Sequence, residues 1–376
     1  ISKSPAPKSP KSPKSPKSNE ASSPPASTVP GTGPTPLSTE EQNAAGILPA
    51  SHWAQQVVKD PEDDGASTIS SFISSTASLS ESIFNYRTIH GRTYHGEIGS
   101  AQSWEPNDQR HLESLELAHH TYTVTMDGRL FHAPLDKKKV QKVVDIGTGT
   151  GIWAIDFADE FPDAEVIGTD ITPIQPSWVP ANVKFELDDC NAEWTWANNT
   201  FDFTHIRMLI GIVADWDILF RQAYRTCKPG GYVECCVSNS IFCCDDGTLK
   251  DDSAMAQWGR VWNQAGKKMG RPFSVYEDDL DKKGMEAAGF IDIEIKEYYI
   301  PFGVWHKDKK LAEKGLWWKV TMESDLEGYL NYAFNAVMGW TPEETARYAV
   351  HLKKEFNNPK IHGYSKARSI WGRKPE

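Results

Sequence analysis

Long apolar runs are missing from this sequence: no stretch of about 18 consecutive apolar residues occurs, which argues against a membrane-spanning helix. The first residues are rich in lysine, serine and proline, so we expect no secretory signal peptide. The six cysteines include two adjacent pairs, Cys235 with Cys236 and Cys243 with Cys244, but no C-x-x-C spacing. We therefore expect no zinc site and interpret the cysteines as buried thiols of an intracellular protein.

An excess of positive charge is also missing, because the formal net charge at pH 7 is -11. A folded domain with this balance is not expected to present a general nucleic-acid-binding surface, and we predict no sequence-specific contact with nucleic acid. The 376 residues are enough for one large domain or two small ones.

Residues 1–82 have the composition of a tail, in which Lys-Ser-Pro recurs near the start. This composition buries too little apolar surface to offset the entropy lost on ordering, so we predict a disordered tail over 1–82 and a folded domain over 83–376. We favour a solvated tail. The alternatives are a kinase substrate at Ser9, Ser12 and Ser15, or a basic arm for nucleic acid or an import receptor. The part from 67 to 82 could instead be a weak helix or a docking segment.

The most informative stretch covers residues 143–153. A short β-branched run enters a turn that contains Gly147, Gly149 and Gly151, and an apolar helical pattern begins at Ile152. This pattern predicts a strand, a tight loop and a helix, with a ligand close to the loop backbone. The dinucleotide fingerprint G-x-G-x-x-G would place its third glycine at 152, where this sequence has isoleucine.

The loop, with Asp145 two residues before the first glycine, resembles motif I of class I S-adenosylmethionine (SAM) methyltransferases. In those enzymes the loop holds the methionine end of the sulfonium cofactor. The resemblance implies that SAM contacts Asp145, Gly147, Thr148, Gly149 and Gly151.

A carboxylate ends the second expected strand, which covers 165–170. A doubly wound sheet places an acid there to accept hydrogen bonds from two ribose hydroxyls. We therefore assign Asp170, with its neighbour Ile171, to the cofactor site. An NAD enzyme would carry the same acid, so Asp170 indicates that the cofactor contains a ribose but does not distinguish SAM from NAD.

An acidic turn follows the third expected strand. By resemblance to SAM enzymes, Asp189 accepts a hydrogen bond from the adenine amino group, and the backbone N–H of Cys190 meets the ring. Trp194 or Trp196 would then form a wall beside the adenine, although either could belong to the core instead.

Two later motifs support the same class. Lys228-Pro229-Gly230-Gly231 precedes the fifth expected strand, and Ala288-Gly289-Phe290 precedes the sixth, as is typical of these methyltransferases. They imply an α/β, Rossmann-like class I fold: a seven-stranded, mostly parallel sheet with helices on both faces.

Two regions lie outside that minimal domain. Residues 303–360 carry aromatic, helical patterns between strands six and seven, where a hairpin would suffice, so we predict a helical insertion over the substrate mouth. Residues 83–139 precede the first strand, and we interpret them as a segment that covers the cofactor, with Tyr94 and His95 as candidate contacts.

His205 is the candidate catalytic residue. It lies at the end of the fourth expected strand, shortly before Arg207, so both are expected near the reaction centre. Histidine suits proton removal from a hydroxyl or amine acceptor. The alternative is that His205 packs or hydrogen-bonds the cofactor. The neighbours His119 and His120 cannot face one metal ion from a helix, so we predict no metal site.

Shorter motifs narrow the resemblance to one family. Arg92 to His95, Asp215-Trp216 and the closing Trp371-Gly372-Arg373, together with the glycine loop, resemble fungal LaeA-like methyltransferases. The resemblance covers about residues 84–376 and implies SAM as the cofactor and a role in secondary metabolism or development. It also implies a location in the nucleus and/or cytoplasm and possible velvet-type partner proteins, but no particular methyl acceptor.

Two functions of different classes follow. The first is an active SAM-dependent methyltransferase, and the second is a SAM-binding regulatory subunit that acts mainly through protein partners with little catalysis. The intact glycine loop with Asp170 and Asp189 predicts cofactor binding in both cases. An NAD-dependent dehydrogenase is a distant third, which Ile152 opposes.

Overall fold

The computed structural model describes residues 35–55, 84–96 and 103–376. Its strands are β1 (Arg87–Ile89), β2 (Arg92–Tyr94), β3 (Lys142–Ile146), β4 (Glu165–Asp170), β5 (Val183–Leu187), β6 (Phe201–Arg207), β7 (Cys227–Ser238), β8 (Ile291–Pro301) and β9 (Tyr364–Arg373). Its helices are α1 (Thr39–Ala44), α2 (Ala50–Gln55), α3 (Gln109–Thr125), α4 (Ile152–Glu160), α5 (Trp216–Thr226), α6 (Ala254–Met269), α7 (Leu280–Ala288), α8 (Lys309–Ser324), α9 (Leu326–Asn331), the π-helical stretch Tyr332–Val337 and α10 (Pro342–Phe356). Within these ranges, no helix is both long enough and apolar enough to cross a bilayer.

Strands β3 to β9 form one sheet with the spatial order β5-β4-β3-β6-β7-β9-β8. The first five strands in this spatial order, β5, β4, β3, β6 and β7, are parallel to one another. Strand β9 lies between β7 and β8 and runs antiparallel to both. In this register, Asp145 on β3 lies between Gly168 on β4 and His205 on β6. The predicted class I architecture, a seven-stranded and mostly parallel sheet, is confirmed.

The first strand shows why helices cover both faces of the sheet. Val143 and Val144 are both fully buried, and successive strand residues point to opposite faces. Val143 packs in a cluster with Trp153 and Phe157 of α4, whereas Val144 belongs to the cluster that contains Phe220 of α5. Each such side chain contributes about 1.5–3 kcal/mol on burial, which holds the two layers of helices against the sheet.

The helical insertion lies where the sequence predicts it. Helices α8, α9 and α10 and the π-helical stretch connect β8 to β9 within residues 303–360, and α8 packs against α3 and β8. At the start of α10, Thr341 and Glu344 cap each other's backbone, and Pro342 occupies the first helical position.

The prediction of a disordered tail is wrong for residues 35–55. Helices α1 and α2 form there, and Ser38 and Glu41 cap α1 reciprocally. Trp53 is buried, and its ring packs edge-on against Tyr348 of α10. A few apolar side chains in a polar segment thus find partners on the helical insertion, which composition averaged over 82 residues does not reveal. The Lys-Ser-Pro repeat and the stretch 67–82 lie outside the described residues.

A buried ion network joins the N-terminal segment to the insertion. Asp325, between α8 and α9, is fully buried and accepts two hydrogen bonds of 2.8 Å from the guanidinium of Arg92. His111 Nδ1 lies 2.8 Å from the same carboxylate. Arg92 also pairs with Asp108, which caps α3. Two regions more than 200 residues apart therefore share one carboxylate.

Replacing Asp325 with alanine is expected to lower the free energy of unfolding by about 3 kcal/mol, because it leaves buried donors of Arg92 and His111 without their acceptor. Chemical denaturation measures this change. Glu327→Ala is the matched control, since it removes only an exposed pair with Arg110 and should cost less than about 1 kcal/mol. Equal losses in the two variants would contradict the prediction.

Candidate active site

A cavity opens at the carboxyl-terminal edge of the parallel strands, where their strand-to-helix loops meet. Its floor consists of the glycine loop after β3 and the ends of β4, β5 and β6. Its roof includes residues 103–107, one face of α3, and parts of α8 and α9, and residues 238–242 with Trp258, Trp262 and Phe273 complete the wall. Roof side chains that line it include Trp104, Tyr122, Trp318, Met322 and Tyr329. Parts of both predicted covering regions therefore enclose the cavity.

The glycines of the loop serve two different purposes. Gly147 lines the cavity at φ +67°, and a Cβ there would lie 2.3 Å from the side chain of Leu209. Gly149 also lines the cavity. Gly151 caps α4 at φ +79°, and its Cβ would lie 2.3 Å from the ring of Phe185. Gly151 is therefore required for packing beneath the loop, and the structure places it outside the cavity lining.

Asp170 lies beside the loop at the end of β4. Its Oδ2 accepts a hydrogen bond of 2.9 Å from the Gly149 backbone N–H, and its Oδ1 accepts one of 2.9 Å from Thr172. Burial raises the pKa of Asp170 to about 6, against the opposing effect of these two bonds. Each oxygen retains a further lone pair, so the oriented carboxylate suits a pair of vicinal hydroxyls.

The predicted adenine end of the site follows β5. Ile171, Asp189, Cys190 and Asn191 all line the cavity. Asp189 Oδ1 accepts hydrogen bonds from the Asn191 backbone N–H and its side-chain amide at 2.9 and 3.1 Å. Burial raises the pKa of the Cys190 thiol to about 12, so this thiol remains protonated at neutral pH.

Four other residues considered from the sequence do not line the cavity. Trp194 is buried and packs edge-on against Trp196, so both belong to the core. Tyr94 is fully buried in the N-terminal segment. His95 is also buried, and its Nδ1 lies 3.2 Å from Thr172 Oγ1, behind the cavity wall.

His205 is buried and does not line the cavity, which speaks against its predicted role as a catalytic base. Its ring stacks on Trp153 with centroids 3.7 Å apart and planes 3° apart. Its Nδ1 donates to Asp145 Oδ1 at 2.7 Å, beneath the loop, while Thr148 Oγ1 donates to Asp145 Oδ2 at 2.6 Å. Burial lowers the pKa of His205, and the Asp145 carboxylate acts in the opposite direction. The histidine therefore positions Asp145, which lines the cavity.

Arg207 and His119 reach the cavity instead. Arg207 Nη2 donates to His119 Nδ1 at 3.0 Å, and His119 Nε2 lies 3.0 Å from Asp156 Oδ2. Leu115, His119 and Tyr122 all line the cavity, and their spacing places them on one face of α3. The helical periodicity of the sequence could therefore have identified these three residues as one wall of the site. In the part of the chain that the structure describes, no group of three or more metal-ligating side chains comes together.

The fold and the site together define a class. The glycine loop after the first strand, the acids that follow the second and third, and the antiparallel seventh strand occur together in class I SAM-dependent methyltransferases. The cavity residues fit SAM, because the glycine-loop backbone, Asp170 and Asp189 stand along the sheet edge in the order that its methionine, ribose and adenine parts require.

Comparison with known proteins agrees with this class. A methyltransferase domain family matches residues 117–295. Methyltransferase pytC of Aspergillus terreus is 39% identical over 303 residues, which cover 80% of this chain and 92% of the relative. Secondary metabolism regulator LAE1 of Cochliobolus heterostrophus is 32% identical over 76% of this chain and 94% of its own. The protein-methionine methyltransferase laeA of Emericella nidulans is 31% identical over 76% of both chains.

The chain belongs to the family of LaeA-like class I methyltransferases. It is a SAM-dependent enzyme.

Asp170→Ala is expected to weaken binding of S-adenosylhomocysteine about 10- to 100-fold, because the ribose loses its charged acceptor. Calorimetric titration measures the affinity. With a carboxyl pKa of about 6 in the free enzyme, wild-type affinity should fall as the pH drops below 6, because the protonated group is a poorer acceptor. The exposed Asp159→Asn is the control, and an alanine variant with wild-type affinity would contradict the assignment.

Gly151→Ala is expected to destabilise the fold by more than about 2 kcal/mol, since strain at positive φ adds to the clash with Phe185. Gly247→Ala is a matched control, because Gly247 has φ +71° but no atom lies within 4 Å of its added Cβ. It should show the backbone strain alone, about 1–2 kcal/mol. Thermal unfolding compares the variants, and an equal shift in both would exclude the packing role.

Proposed function

We propose that this enzyme transfers a methyl group from SAM to an acceptor held beneath the aromatic roof, and that the reaction regulates secondary metabolism or development in a fungus. The observation that carries the proposal is the enclosed cavity, which has the glycine loop and Asp170 on its floor and Trp318 and Tyr329 above them. The regulatory role is supported by relatives that are named secondary metabolism regulators.

The protein's main tasks are alignment and exclusion of water. When bound, SAM supplies a methyl group on a positively charged sulfur, which needs no further activation. Gly147 and Gly149 would allow SAM to approach the loop backbone closely, Asp170 would accept hydrogen bonds from the ribose hydroxyls, and Asp189 would accept one from the adenine amino group. The roof residues would hold the acceptor close to the cofactor and away from solvent.

Neither His205, the candidate base, nor His119, which lines the cavity, is available to remove a proton from the acceptor. His205 lies under the loop, and both ring nitrogens of His119 are engaged, one by Arg207 and one by Asp156. This arrangement favours an acceptor that is nucleophilic without a histidine base, such as a thioether or an ionised carboxylate. The Emericella nidulans relative is named a protein-methionine methyltransferase, and a methionine thioether is such an acceptor.

The proposal extends to the enzyme's place in the cell. We assign it to the nucleus and/or cytoplasm, with velvet-type proteins as partners, on the basis of the family resemblance. The alternative, a SAM-binding regulatory subunit with little catalysis, would use the same cofactor residues but would not need an acceptor in the cavity.

Methyl transfer from radiolabelled SAM into a fungal extract tests the proposal. We expect label in a protein or small-molecule fraction, counted separately, and about the background level with Asp170→Ala. Asp159→Asn should retain the activity, because its side chain is exposed on α4. Binding of SAM without label in either fraction would contradict the enzyme and support the regulatory subunit.

A further inference from the structure

Arg207 is a cation in the cavity wall for which the described residues provide no counter-ion. It ends β6, is partly buried and lines the cavity. Its guanidinium carbon lies 5.5 Å from the centroid of the Tyr122 ring, and its Nη2 donates to His119. Among residues 35–55, 84–96 and 103–376, no carboxylate lies within ion-pair distance of it.

The histidine beside it orients the guanidinium without neutralising it. A guanidinium can only donate hydrogen bonds, so His119 Nδ1 must accept, and a neutral His119 carries its proton on Nε2. That proton points to Asp156 Oδ2, which lies 3.0 Å from His119 Nε2. Burial lowers the pKa of His119, which keeps the ring neutral. The hydrogen bonds from Arg207 to His119 and from His119 to Asp156 therefore fix the orientation of the guanidinium without neutralising its positive charge.

Two other arginines, one buried and one partly buried, are paired with carboxylates. Arg92 pairs with Asp108 and Asp325, and Arg368 pairs with Asp279 and Asp281. Each therefore has two carboxylates. A partly desolvated cation is costly without an anion, and a planar guanidinium binds a carboxylate with two parallel hydrogen bonds. Arg225, which is partly buried and has no carboxylate within the described ranges, donates to the backbone carbonyls of Trp194 and Trp196 instead. Arg207 has neither kind of acceptor among the described residues and faces the cavity, which points to an anion that comes with a ligand.

The position of Arg207 narrows the choice of ligand. Along the cavity edge, the strand order places Asp189 after β5, Asp170 at β4, the glycine loop after β3, and Arg207 at β6. Ile146 and Ile206 are paired, so Arg207 continues β6 at the level where β3 ends and the glycine loop begins. A ligand whose adenine and ribose occupy the first two positions brings its amino-acid end, and the acceptor, to Arg207.

We propose that Arg207 is the carboxylate-binding residue of this cavity. The carboxylate has two possible sources, the amino-acid end of SAM or an acidic group on the methyl acceptor. The second source rests on the proposed function, because it requires an acceptor in the cavity. In both cases His119 is a positioning residue that holds the guanidinium.

Calorimetric titration of the full chain distinguishes the sources. The first probes are S-adenosylhomocysteine and 5′-methylthioadenosine, which shares the nucleoside and thioether but lacks the amino-acid carboxylate. If the cofactor is the source, Arg207→Gln weakens binding of S-adenosylhomocysteine about 10- to 100-fold and leaves that of methylthioadenosine unchanged. If the acceptor is the source, both affinities are unchanged. The enzyme saturated with S-adenosylhomocysteine then binds benzoate more tightly than benzamide, and Arg207→Gln abolishes this preference.

Two controls keep the test decisive. Arg129→Gln removes an exposed arginine outside the cavity and should change none of these affinities. Arg207→Lys keeps the charge without the planar fork, so it should retain folding and give an intermediate loss. Wild-type affinity of both arginine variants for S-adenosylhomocysteine, with no benzoate preference in the wild type, would overturn the proposal. Failure of the wild type to bind either nucleoside would instead overturn the proposed function.

Discussion

The site depends on the buried carboxylate of Asp145. It lies on β3 directly below the glycine loop, where it accepts from Thr148 Oγ1 within the loop and from His205 Nδ1 on the adjacent strand. One side chain thus ties the loop to two parallel strands. A buried charge is costly, and these two hydrogen bonds offset much of that cost. Because Trp153 stacks on the imidazole, the donor direction of His205 is also set by packing. The loop is therefore held in its ligand-binding shape before any ligand arrives.

The roof is built from the N-terminal segment and the helical insertion, which are distant in sequence. Hydrogen bonds between hydroxyl groups and buried ion pairs hold the two regions together. Thr121 on α3 and Thr321 on α8 share a hydrogen bond of 2.8 Å between their side-chain oxygens. Ser114 and Tyr329 do the same at 2.8 Å. With the Asp325 network, these contacts join the N-terminal segment and the insertion over the cavity. The hydrogen bonds stabilise one particular alignment of α3 and α8, since unpaired hydroxyls in this buried contact would be unfavourable.

Local sequence was sufficient for the elements whose signals are local. The strand, loop and helix over 143–153 are predictable because positive-φ glycines and β-branched residues stand next to each other. Asp170 follows from its place at the end of a strand in a doubly wound sheet, and the insertion follows from a connection far longer than a hairpin. These three predictions agree with the positions seen in the structure.

The remaining features depend on tertiary register. The side chains of His205 and Arg207 point to the same face of β6, because they are two residues apart on the strand. The pairing of Asp145 with His205 places the histidine beneath the glycine loop, whereas Arg207 lies further along the strand and lines the cavity. A single sequence does not reveal where one strand ends relative to the loop of its neighbour. Helices α1 and α2 were missed for a related reason: Trp53 is buried by residues almost 300 positions away.

Some of the residues that line the cavity come from the helical insertion and others from the sheet edge, which are different parts of this protein. Trp318, Met322 and Tyr329 line the cavity from a segment that contributes no strand to the sheet, whereas Asp145, Asp170 and the glycines belong to the sheet edge. Substitutions in the insertion can therefore reshape the roof of the cavity while the strand pairing and the glycine loop stay intact. Such a division lets the shape of the roof vary without disturbing the sheet edge that holds Asp145 and the glycine loop.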